Sequence, residues 1–263
     1  ATQNDSIDTL LQKDVDLLLV NLVDTGAAPT VIDKIKTAEK PVVLFNREPS
    51  ADSIKAYDKA IFVGTNAKEA GVMQGEILSK VWEKDKAAID KNGDGVLQYV
   101  MLKGEPDNPE AVARTQYSVS TLNDKGVKTE ELALQVCNWD QALAQNATEA
   151  WFSKFGDKIE AVIANNDGMA QGAIAALQAQ GYNNGDAAKT IPVVGVDATA
   201  AAQDLIGKGF MLGSVLQDAE GMAKALYETG MNLAGGKSAV EGTSYKFDDT
   251  GVAVRIPYQE YVK

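Results

Sequence analysis

Residues 90–98 have the side-chain types and the spacing of a loop that binds a hard metal cation. They read Asp-Lys-Asn-Gly-Asp-Gly-Val-Leu-Gln, with oxygen-bearing side chains at positions one, three and five (Asp90, Asn92 and Asp94) and glycine at six. In such a loop alternate side chains turn inward onto Ca²⁺, and the glycine permits a sharp bend. The pattern predicts a calcium site. The alternative is a polar turn, because Asn-Gly and Asp-Gly turns use the same residues.

The loop does not continue as a helix-loop-helix calcium site would. Position twelve, where such a site places a bidentate glutamate, is Met101, and residues 97–102 have the apolar character of a strand. A metal here therefore needs Gln98 at position nine and a carboxylate from another part of the chain.

A second set of polar side chains follows the ends of the predicted strands. Ligands of open α/β sheets bind beyond the carboxyl ends of the strands. Carboxylates, amides and guanidinium groups are planar and can each pair with two neighbouring hydroxyls, and an aromatic face attracts weakly positive C–H groups. A cleft lined in this way suits a small polyhydroxylated ligand. The candidate side chains are Asn46, Asn108, Glu110, Arg114, Trp139, Asn166, Asp197 and Gln217.

Each of these residues also has a purely structural interpretation. Asn108, Asn166 and the neighbouring Asp140 are suited to cap helix N-termini. Glu110 and Arg114 are four residues apart, which is the spacing of a solvated ion pair on a helix. Trp139 could serve as core packing. The placement of all of them at strand ends favours a binding role.

Apolar runs alternate with amphipathic helical patterns along almost the whole chain. Several runs are continuously apolar, as in parallel strands covered on both faces, and repeated βα units predict doubly wound sheets. Strands are predicted at residues 16–21, 41–46, 60–64, 97–103, 129–136, 159–165, 192–197 and 211–216. Helices are predicted at residues 6–13, 28–38, 68–84, 110–125, 141–155, 168–180, 200–208 and 220–233.

The number of strands exceeds one comfortable sheet, so the fold class is α/β with two lobes. The chain is expected to cross near residues 64–66 and 216–219, which gives a first lobe of 1–64 with 219–256 and a second of 65–218 with 257–263. The sequence begins with a helix, whereas an open α/β lobe normally begins with a strand. We therefore expect the first lobe to be incomplete; the alternative is a complete helix-first topology.

Composition removes several classes of function. The 263 residues include 37 acidic and 25 basic side chains, a net charge of −12, with no basic patch for nucleic acid or an anionic membrane. Histidine is absent, which removes zinc–histidine sites and histidine-based nucleophile systems. The single cysteine, Cys137, is expected to be an inert, partly buried thiol. No apolar run approaches the roughly 18 residues of a membrane span.

The sequence resembles the periplasmic galactose/glucose-binding proteins of ABC transport and chemotaxis, in order and over essentially its whole length. The matching words are Asn-Leu-Val-Asp at 21–24, Phe-Asn-Arg-Glu-Pro-Ser at 45–50, Gly-Glu-Pro at 104–106, Leu-Asn-Asp-Lys-Gly at 122–126, Ile-Ala-Asn-Asn-Asp at 163–167 and Gly-Val-Asp at 195–197. The resemblance implies two Rossmann-like lobes of the type I binding-protein class, joined by three crossing segments that act as a hinge.

The resemblance also implies roles for individual residues. Asn46, Arg114, Asn166 and Asp197 match hydrogen-bonding positions of the family, and Trp139 matches its stacking aromatic. The metal ligands implied are Asp90, Asn92, Asp94, the carbonyl of Val96, Gln98 and the remote carboxylate of Glu160.

Some positions depart from the family pattern. Asn108 stands where the family has histidine, Glu110 where it has aspartate and Gln217 where it has asparagine. Glutamate and glutamine are longer by one methylene, so the pocket must shift or admit water. The family's opening strand carries an acidic residue and an aromatic that are not present in this sequence.

We therefore expect an extracytoplasmic glucose/galactose receptor, periplasmic or lipid-anchored, that holds a structural Ca²⁺. Its expected partners are a hexose, the membrane subunits of an ABC permease and a chemoreceptor; it is expected to be a monomer, not to span a membrane, not to bind nucleic acid and to catalyse no reaction. The alternative is the effector-binding core of a sugar-responsive transcription regulator. An enzyme is disfavoured, because the sequence has no phosphate-binding glycine motif and no histidine.

Overall fold

The computed structural model describes residues 2–263, and the chain divides into two compact units. Unit 1 comprises Ala1–Asn66 and Asp218–Pro257, and unit 2 comprises Ala67–Gln217 and Tyr258–Lys263. The chain thus passes from one unit to the other three times. The crossing points differ by one or two residues from those expected from the sequence.

Unit 1 contains a four-stranded parallel sheet. Its helices are α1 (Gln3–Gln12), α2 (Ala28–Thr37), α3 (Ala51–Lys55) and α10 (Ala219–Ala234), and its strands are β1 (Leu18–Val20), β2 (Val42–Phe45), β3 (Ala60–Gly64) and β9 (Ala253–Arg255). The strand order is β1-β2-β3-β9. Apolar side chains are buried on both faces of this sheet, against α1, α2 and α3 on one face and α10 on the other. The two covered faces explain why β2 and β3 are continuously apolar.

Unit 2 contains a six-stranded sheet. Its helices are α4 (Ala67–Lys84), α5 (Lys86–Ile89), α6 (Pro109–Asp124), α7 (Gln141–Phe155), α8 (Asp167–Ala179) and α9 (Ala200–Lys208), and its strands are β4 (Val96–Lys103), β5 (Lys128–Val136), β6 (Ala161–Ala164), β7 (Val193–Asp197), β8 (Gly213–Gln217) and β10 (Tyr258–Val262). The strand order is β10-β8-β7-β6-β4-β5, and every pair is parallel except β10 with β8. One core lies between the sheet and α7, α8 and α9, and a second lies under α4 and α6.

The α/β fold class with parallel sheets is confirmed, and all eight predicted strands and all eight predicted helices are present with small shifts at their ends. The sequence analysis missed α3 and α5, which are too short to show helical periodicity, and β9 and β10. The incompleteness of the first lobe stays a prediction. Among the described residues, no helix combines the length and the apolar character needed to cross a bilayer.

Candidate functional site

Seven of the eight predicted ligand-binding residues lie at one edge of the unit 2 sheet. Because β4, β5, β6, β7 and β8 are parallel, their carboxyl ends meet at this edge. In sheet order, Gln217 ends β8, Asp197 ends β7, Asn166 follows β6, and Trp139 follows β5. Asn108, Glu110 and Arg114 follow β4, as the cap and first turns of α6. The fold therefore places these seven residues on neighbouring connections of one sheet.

Arg114 makes several hydrogen bonds within unit 2, and it is 3% exposed. Its Nη1 donates to the backbone oxygen of Asn165 at 2.9 Å, and its Nη2 donates to Glu110 Oε2 at 2.9 Å and to the Tyr258 hydroxyl at 2.7 Å. The Tyr258 hydroxyl in turn donates to Glu110 Oε2 at 3.1 Å. The alternative of a solvated ion pair on the helix surface is therefore wrong, since Glu110 is only 8% exposed.

The Nε of Arg114 is buried and has no hydrogen-bond partner among the described residues. A buried charged donor without an acceptor carries the full cost of its lost hydration, roughly 1–3 kcal/mol or more. An acceptor brought by a ligand would relieve that cost. This atom is therefore the clearest indication in unit 2 of where a ligand oxygen would lie.

The charged groups that act on Arg114 belong to unit 2. Burial by itself would lower the pKa of Arg114, but Tyr258, Glu110 and Asp197 raise it above its usual value, so the guanidinium stays charged. Burial raises the pKa of Asp197, while the charge of Arg114 and a hydrogen bond from the backbone of Asp167 oppose that rise. The site therefore combines a fixed cation with carboxylates that accept hydrogen bonds.

Trp139 lies half-buried beside this network. The Arg114 Cζ is 5.9 Å from the centre of the Trp139 ring. The indole packs directly on Gly104, because a Cβ on that glycine would come within 2.4 Å of the ring. Asn138 and Trp139 both have positive φ, at 50° and 67°. The backbone conformation and the glycine together fix the direction of the indole, which also packs against the core of unit 2. Its role as a stacking face for a ligand stays a prediction.

The helix-capping alternatives are also seen. The Asn108 Oδ1 accepts from the backbone N–H of Glu110 and Ala111, and Asn166 and Asp140 cap α8 and α7 through Met169 and Leu143. The Asn166 Nδ2 is 3.4 Å from the backbone oxygen of Trp139, and the Asn108 Nδ2 donates to Glu105 at 3.0 Å. These asparagines therefore have structural roles in addition to the predicted contacts with a ligand.

The last of the seven residues is Gln217, and Asn46 is the one predicted residue that lies outside this set. Gln217 is opposite Tyr258 in the β8–β10 register and so belongs to the same edge. Asn46 lies in unit 1, at the end of β2, where its backbone has a φ of 63°. Its predicted role stays a prediction.

Two residues of this network were missed in the sequence analysis. Asn165 is fully buried; its Oδ1 accepts from the Gly104 N–H at 3.0 Å, and its backbone oxygen holds Arg114. Its position directly after an apolar strand, in the run Asn-Asn-Asp, could have indicated that it belongs to the site. Tyr258 had no such signal, because it bonds to Glu110 across 148 residues of the chain.

The predicted metal residues also lie together in unit 2. The loop joins α5 to β4 and bends at Gly93 and Gly95, which have φ of 74° and 79°. Asp94 Oδ1 accepts from the Val96 N–H at 2.8 Å, and Asp94 Oδ2 accepts from the side-chain amides of Asn92 and Gln98, each at 2.9 Å. These bonds, led by the one from Val96, lower the pKa of Asp94.

Glu160 closes the loop from 62 residues away. Its Oε1 accepts from the Lys91 N–H at 2.6 Å, and its Oε2 accepts from the Gln98 N–H at 3.0 Å. Glu160 is 1% exposed, and burial raises its pKa, with the nearby Asp90 charge acting in the same direction. Glu160 therefore joins the loop to the chain just before β6, and its role as a metal ligand stays a prediction.

The donor atoms of these residues are of the types that a hard cation prefers. Asp90 Oδ1 is buried and has no hydrogen-bond partner among the described residues, and the other candidate donors are carboxylate, amide and carbonyl oxygens, as Ca²⁺ prefers. No group of three or more His, Cys, Asp and Glu side chains within residues 2–263 could hold a metal by itself. The amide oxygens of Asn92 and Gln98 and the carbonyl of Val96 would have to complete the coordination.

The edge of unit 2 has the composition of a binding site. It presents an aromatic face, a buried guanidinium with an unpartnered N–H and carboxylates on adjacent connections, but no nucleophile paired with a base. Cys137 is buried, and burial raises the pKa of its thiol to about 11. The fold and this site define a two-unit α/β solute-binding protein.

Comparison with known proteins identifies the family. Residues 1–238 match the periplasmic binding protein domain, and the chain belongs to that family. It is 46% identical over 257 residues to the D-galactose/methyl-galactoside binding periplasmic protein MglB of Haemophilus influenzae, covering 97% of this chain and 75% of that protein. It is 33% identical over 248 residues to a putative rhizopine-binding protein of Rhizobium meliloti, covering 93% of this chain and 74% of the relative.

Solved structures show the same architecture. An ABC transporter solute binding protein from Bacillus halodurans with bound myo-inositol superposes with a TM-score of 0.78 at 26% identity, covering 99% of this chain and 79% of that one. The family resemblance inferred from the sequence is thus confirmed. These relatives are binding proteins and not enzymes, in agreement with the expectation that the chain catalyses no reaction.

Proposed function

We propose that this protein is a periplasmic receptor that binds a hexose, galactose or glucose, and delivers it to the membrane subunits of an ABC permease. Service to a chemoreceptor is part of the same proposal. Support comes from the 46% identity to a protein named for galactose and methyl-galactoside binding. Further support comes from the chemistry of the unit 2 edge.

One observation carries the proposal: Arg114, whose buried Nε has no partner among the described residues, has its Cζ 5.9 Å from the centre of the Trp139 ring. An N–H that needs an acceptor, next to a flat apolar face, matches a pyranose, which has hydroxyl oxygens around its rim and C–H groups on its faces. A purely apolar solute would leave the guanidinium N–H unsatisfied. A strongly anionic solute would meet the carboxylates of Asp197 and Glu110.

Selectivity follows from the same geometry. Asp197 and Glu110 are acceptors, whereas Arg114 and the Asn166 amide can donate, so each hydroxyl of the sugar would meet a partner of fixed type. A sugar that lacks one of these hydroxyls leaves a buried polar group unpaired, at a cost of about 1–3 kcal/mol. This cost distinguishes hexoses from smaller or deoxygenated solutes.

We test the sugar proposal by isothermal titration calorimetry with D-galactose, D-glucose, D-ribose, myo-inositol and ATP. Galactose or glucose should bind more tightly than the other three. The Trp139→Ala variant should bind that hexose at least about tenfold more weakly, since a loss of about 1.4 kcal/mol is tenfold. The matched control is Trp151→Ala, which removes an indole packed on the α7 side of the core and should keep the affinity. Binding of none of the sugars, or equal weakening by both variants, would contradict the proposal.

The second part of the proposal is a structural Ca²⁺ held in unit 2. Asp90, Asn92, Asp94, the carbonyl of Val96, Gln98 and Glu160 would hold it, and the cation would neutralise carboxylates that otherwise stand close together. The orphaned Oδ1 of Asp90 and the raised pKa of Glu160 support this assignment. The ion would join the loop before β4 to the chain before β6.

Thermal unfolding tests the metal proposal. At a Ca²⁺ concentration of about 100 Kd the native state gains about 2.7 kcal/mol, so excess EDTA should lower the Tm by several degrees and added Ca²⁺ should restore it. Glu160→Gln should abolish most of this shift. The control Glu83→Gln, an exposed carboxylate on α4, should show the full shift. A Tm that does not respond to EDTA or Ca²⁺ in the unmodified protein would refute the metal site.

A further inference from the structure

Asp167 is a buried carboxylate that makes no contact assigned to the ligand. It is fully buried at the first position of α8. Its Oδ1 accepts from the Ser214 hydroxyl at 2.6 Å, and its Oδ2 accepts from the Thr199 N–H at 2.8 Å. The Ser214 Oγ itself accepts from the Ala198 N–H at 3.1 Å. Asp167 and Ser214 together therefore hold the two backbone amides that follow Asp197.

The backbone held in this way has a conformation that L residues rarely adopt. Asp197 has a φ of 117° and Ala198 a φ of 51°, and neither is a glycine. Such residues persist only where the surrounding structure fixes them, and they cluster at functional sites. The hydrogen bonds from Ala198 and Thr199 to Ser214 and Asp167 supply that constraint.

Strand β7 has a glycine, Gly195, where the Asp167 carboxylate packs against it. A Cβ on Gly195, two residues before Asp197, would come within 2.4 Å of Asp167 Oδ1 and 2.9 Å of Met211 Cε. Glycine at this point of β7 is therefore a requirement of close approach. The same carboxylate thus lies against Gly195 of β7 and accepts a hydrogen bond from the turn that follows this strand.

We propose that Asp167, acting with Ser214, is a positioning residue that fixes the turn from Asp197 to Thr199 and so directs the Asp197 carboxylate at a sugar hydroxyl. The inference rests on the proposed function, since Asp197 is a binding residue only if the ligand is a sugar. Asp167 does not touch the ligand. It acts through the backbone of the turn.

The charged surroundings give this arrangement a pH dependence. The charged group that acts on Asp167 is Asp197 of β7, while Ser214 of β8 and Thr199, the cap of α9, donate hydrogen bonds. Arg114 and Glu110 of α6 act on Asp197, and Tyr258 of β10 bonds to both of these α6 residues. Burial raises the pKa of Asp167 to about 7, with the Asp197 charge adding to the rise and the bonds from Ser214 and Thr199 opposing it. Protonation would remove an acceptor that the turn uses.

The test compares Asp167→Asn and Ser214→Ala with the unmodified protein. The two donors lie at different oxygens of the carboxylate, and D167N replaces one of these oxygens by an NH₂ group, which cannot accept. This variant should therefore bind the hexose at least about tenfold more weakly at pH 8. The affinity of the unmodified protein should fall between pH 8 and pH 6, and that of D167N should not change over this range. Amide hydrogen exchange should quicken at Thr199 in D167N and at Ala198 in S214A.

The matched control is Asn183→Ala. Asn183 is also fully buried in unit 2, and its side chain holds the backbone at Ile191 and Phe210, away from the turn. N183A should lower the free energy of unfolding but leave the affinity, its pH profile and the exchange at Ala198 and Thr199 unchanged.

Three results bear on the inference differently. If the unmodified protein binds a hexose and D167N binds it equally well with the same pH profile, the inference is overturned. If the unmodified protein binds no sugar, the proposed function fails, and the exchange rates alone decide whether Asp167 fixes the turn. Unchanged exchange at Ala198 and Thr199 in both variants overturns the inference in either case.

Discussion

Replacing Arg114 by lysine tests the reasoning about the site most directly. The substitution keeps a positive charge beside Glu110 and Asp197 but removes the planar guanidinium. Arginine here uses two nitrogens for three bonds, to Asn165, Glu110 and Tyr258, and holds a third, Nε, buried and unpartnered among the described residues. Lysine has a single nitrogen on a flexible stem and cannot reproduce this geometry.

The magnitude follows from counting these bonds. At least one buried partner, the Asn165 carbonyl or the Tyr258 hydroxyl, is left unsatisfied, which should lower the free energy of unfolding by about 1–3 kcal/mol. If Nε bonds a sugar oxygen, a hydrogen bond to a charged group is lost as well, worth about 1.5–3 kcal/mol. The affinity for the hexose should therefore fall about 10- to 150-fold.

The assay is calorimetric titration of the hexose together with urea unfolding of the free protein. Arg255→Lys is the matched control, because Arg255 also makes three kinds of contact, to Glu48, Asp248 and the Thr65 carbonyl, all within unit 1. It should lose stability and keep its affinity. If folded Arg114→Lys binds within about threefold of the unmodified protein, the assignment of Nε to the ligand is wrong, since a hydrogen bond to a charged group is worth more than that.

Three further predictions follow from the packing and the titrating groups. Gly104→Ala should displace the Trp139 indole, because the added Cβ would come within 2.4 Å of the ring. The affinity for the hexose should fall about tenfold or more. The control is Gly207→Ala, which should leave the affinity unchanged because an added Cβ there meets no atom within 4 Å. The Cys137 thiol, buried and with its pKa raised to about 11, should not react with a disulfide reagent at pH 8 in the folded protein but should react in urea, and rapid reaction of the native protein would show that the thiol is accessible. The pKa of Asp167 is raised to about 7 from an unfolded value near 3.8, so between these pH values the folded state binds a proton that the unfolded state does not. The contribution of Asp167 to the free energy of unfolding should therefore fall as the pH rises from about 4 to 7, by an amount on the order of a few kcal/mol. Urea titrations of D167N should lack this pH dependence.

The fold could be predicted from the sequence because its signals are local and repeated. Continuous apolar runs such as those of β2 and β6 occur only where both faces of a sheet are covered, and the helices between them have clear caps, as Asn108 and Asn166 show. Local sequence patterns do not predict contacts between residues that are far apart in the chain. β10 pairs with β8 although the whole of α10 and β9 lies between them in the sequence, and it brings Tyr258 to Arg114; nothing in the sequence near Tyr258 predicts that contact.

The candidate site likewise contains residues that could be recognised from local sequence and residues that depend on distant contacts. Most residues of the proposed metal loop lie in one local stretch, and the remote carboxylate proposed to complete it, Glu160, came from the family resemblance. The burial of Arg114 could not be seen locally, since its spacing from Glu110 is equally typical of a solvated helix face. The pairing of Asp167 with Ser214 was missed because each residue taken alone resembles an ordinary helix start or strand residue.

The indole resting on Gly104 has a consequence for the thermodynamics of binding. Trp139 is held by its own left-handed backbone and by the glycine beneath the ring, so its rotamer freedom is lost when the chain folds. A solute that stacks on a side chain already immobilised does not have to freeze it, and this lowers the entropic cost of association by about 0.5–1.5 kcal/mol per immobilised side chain. Rigidity at this position would therefore raise the affinity for a solute that stacks on the indole.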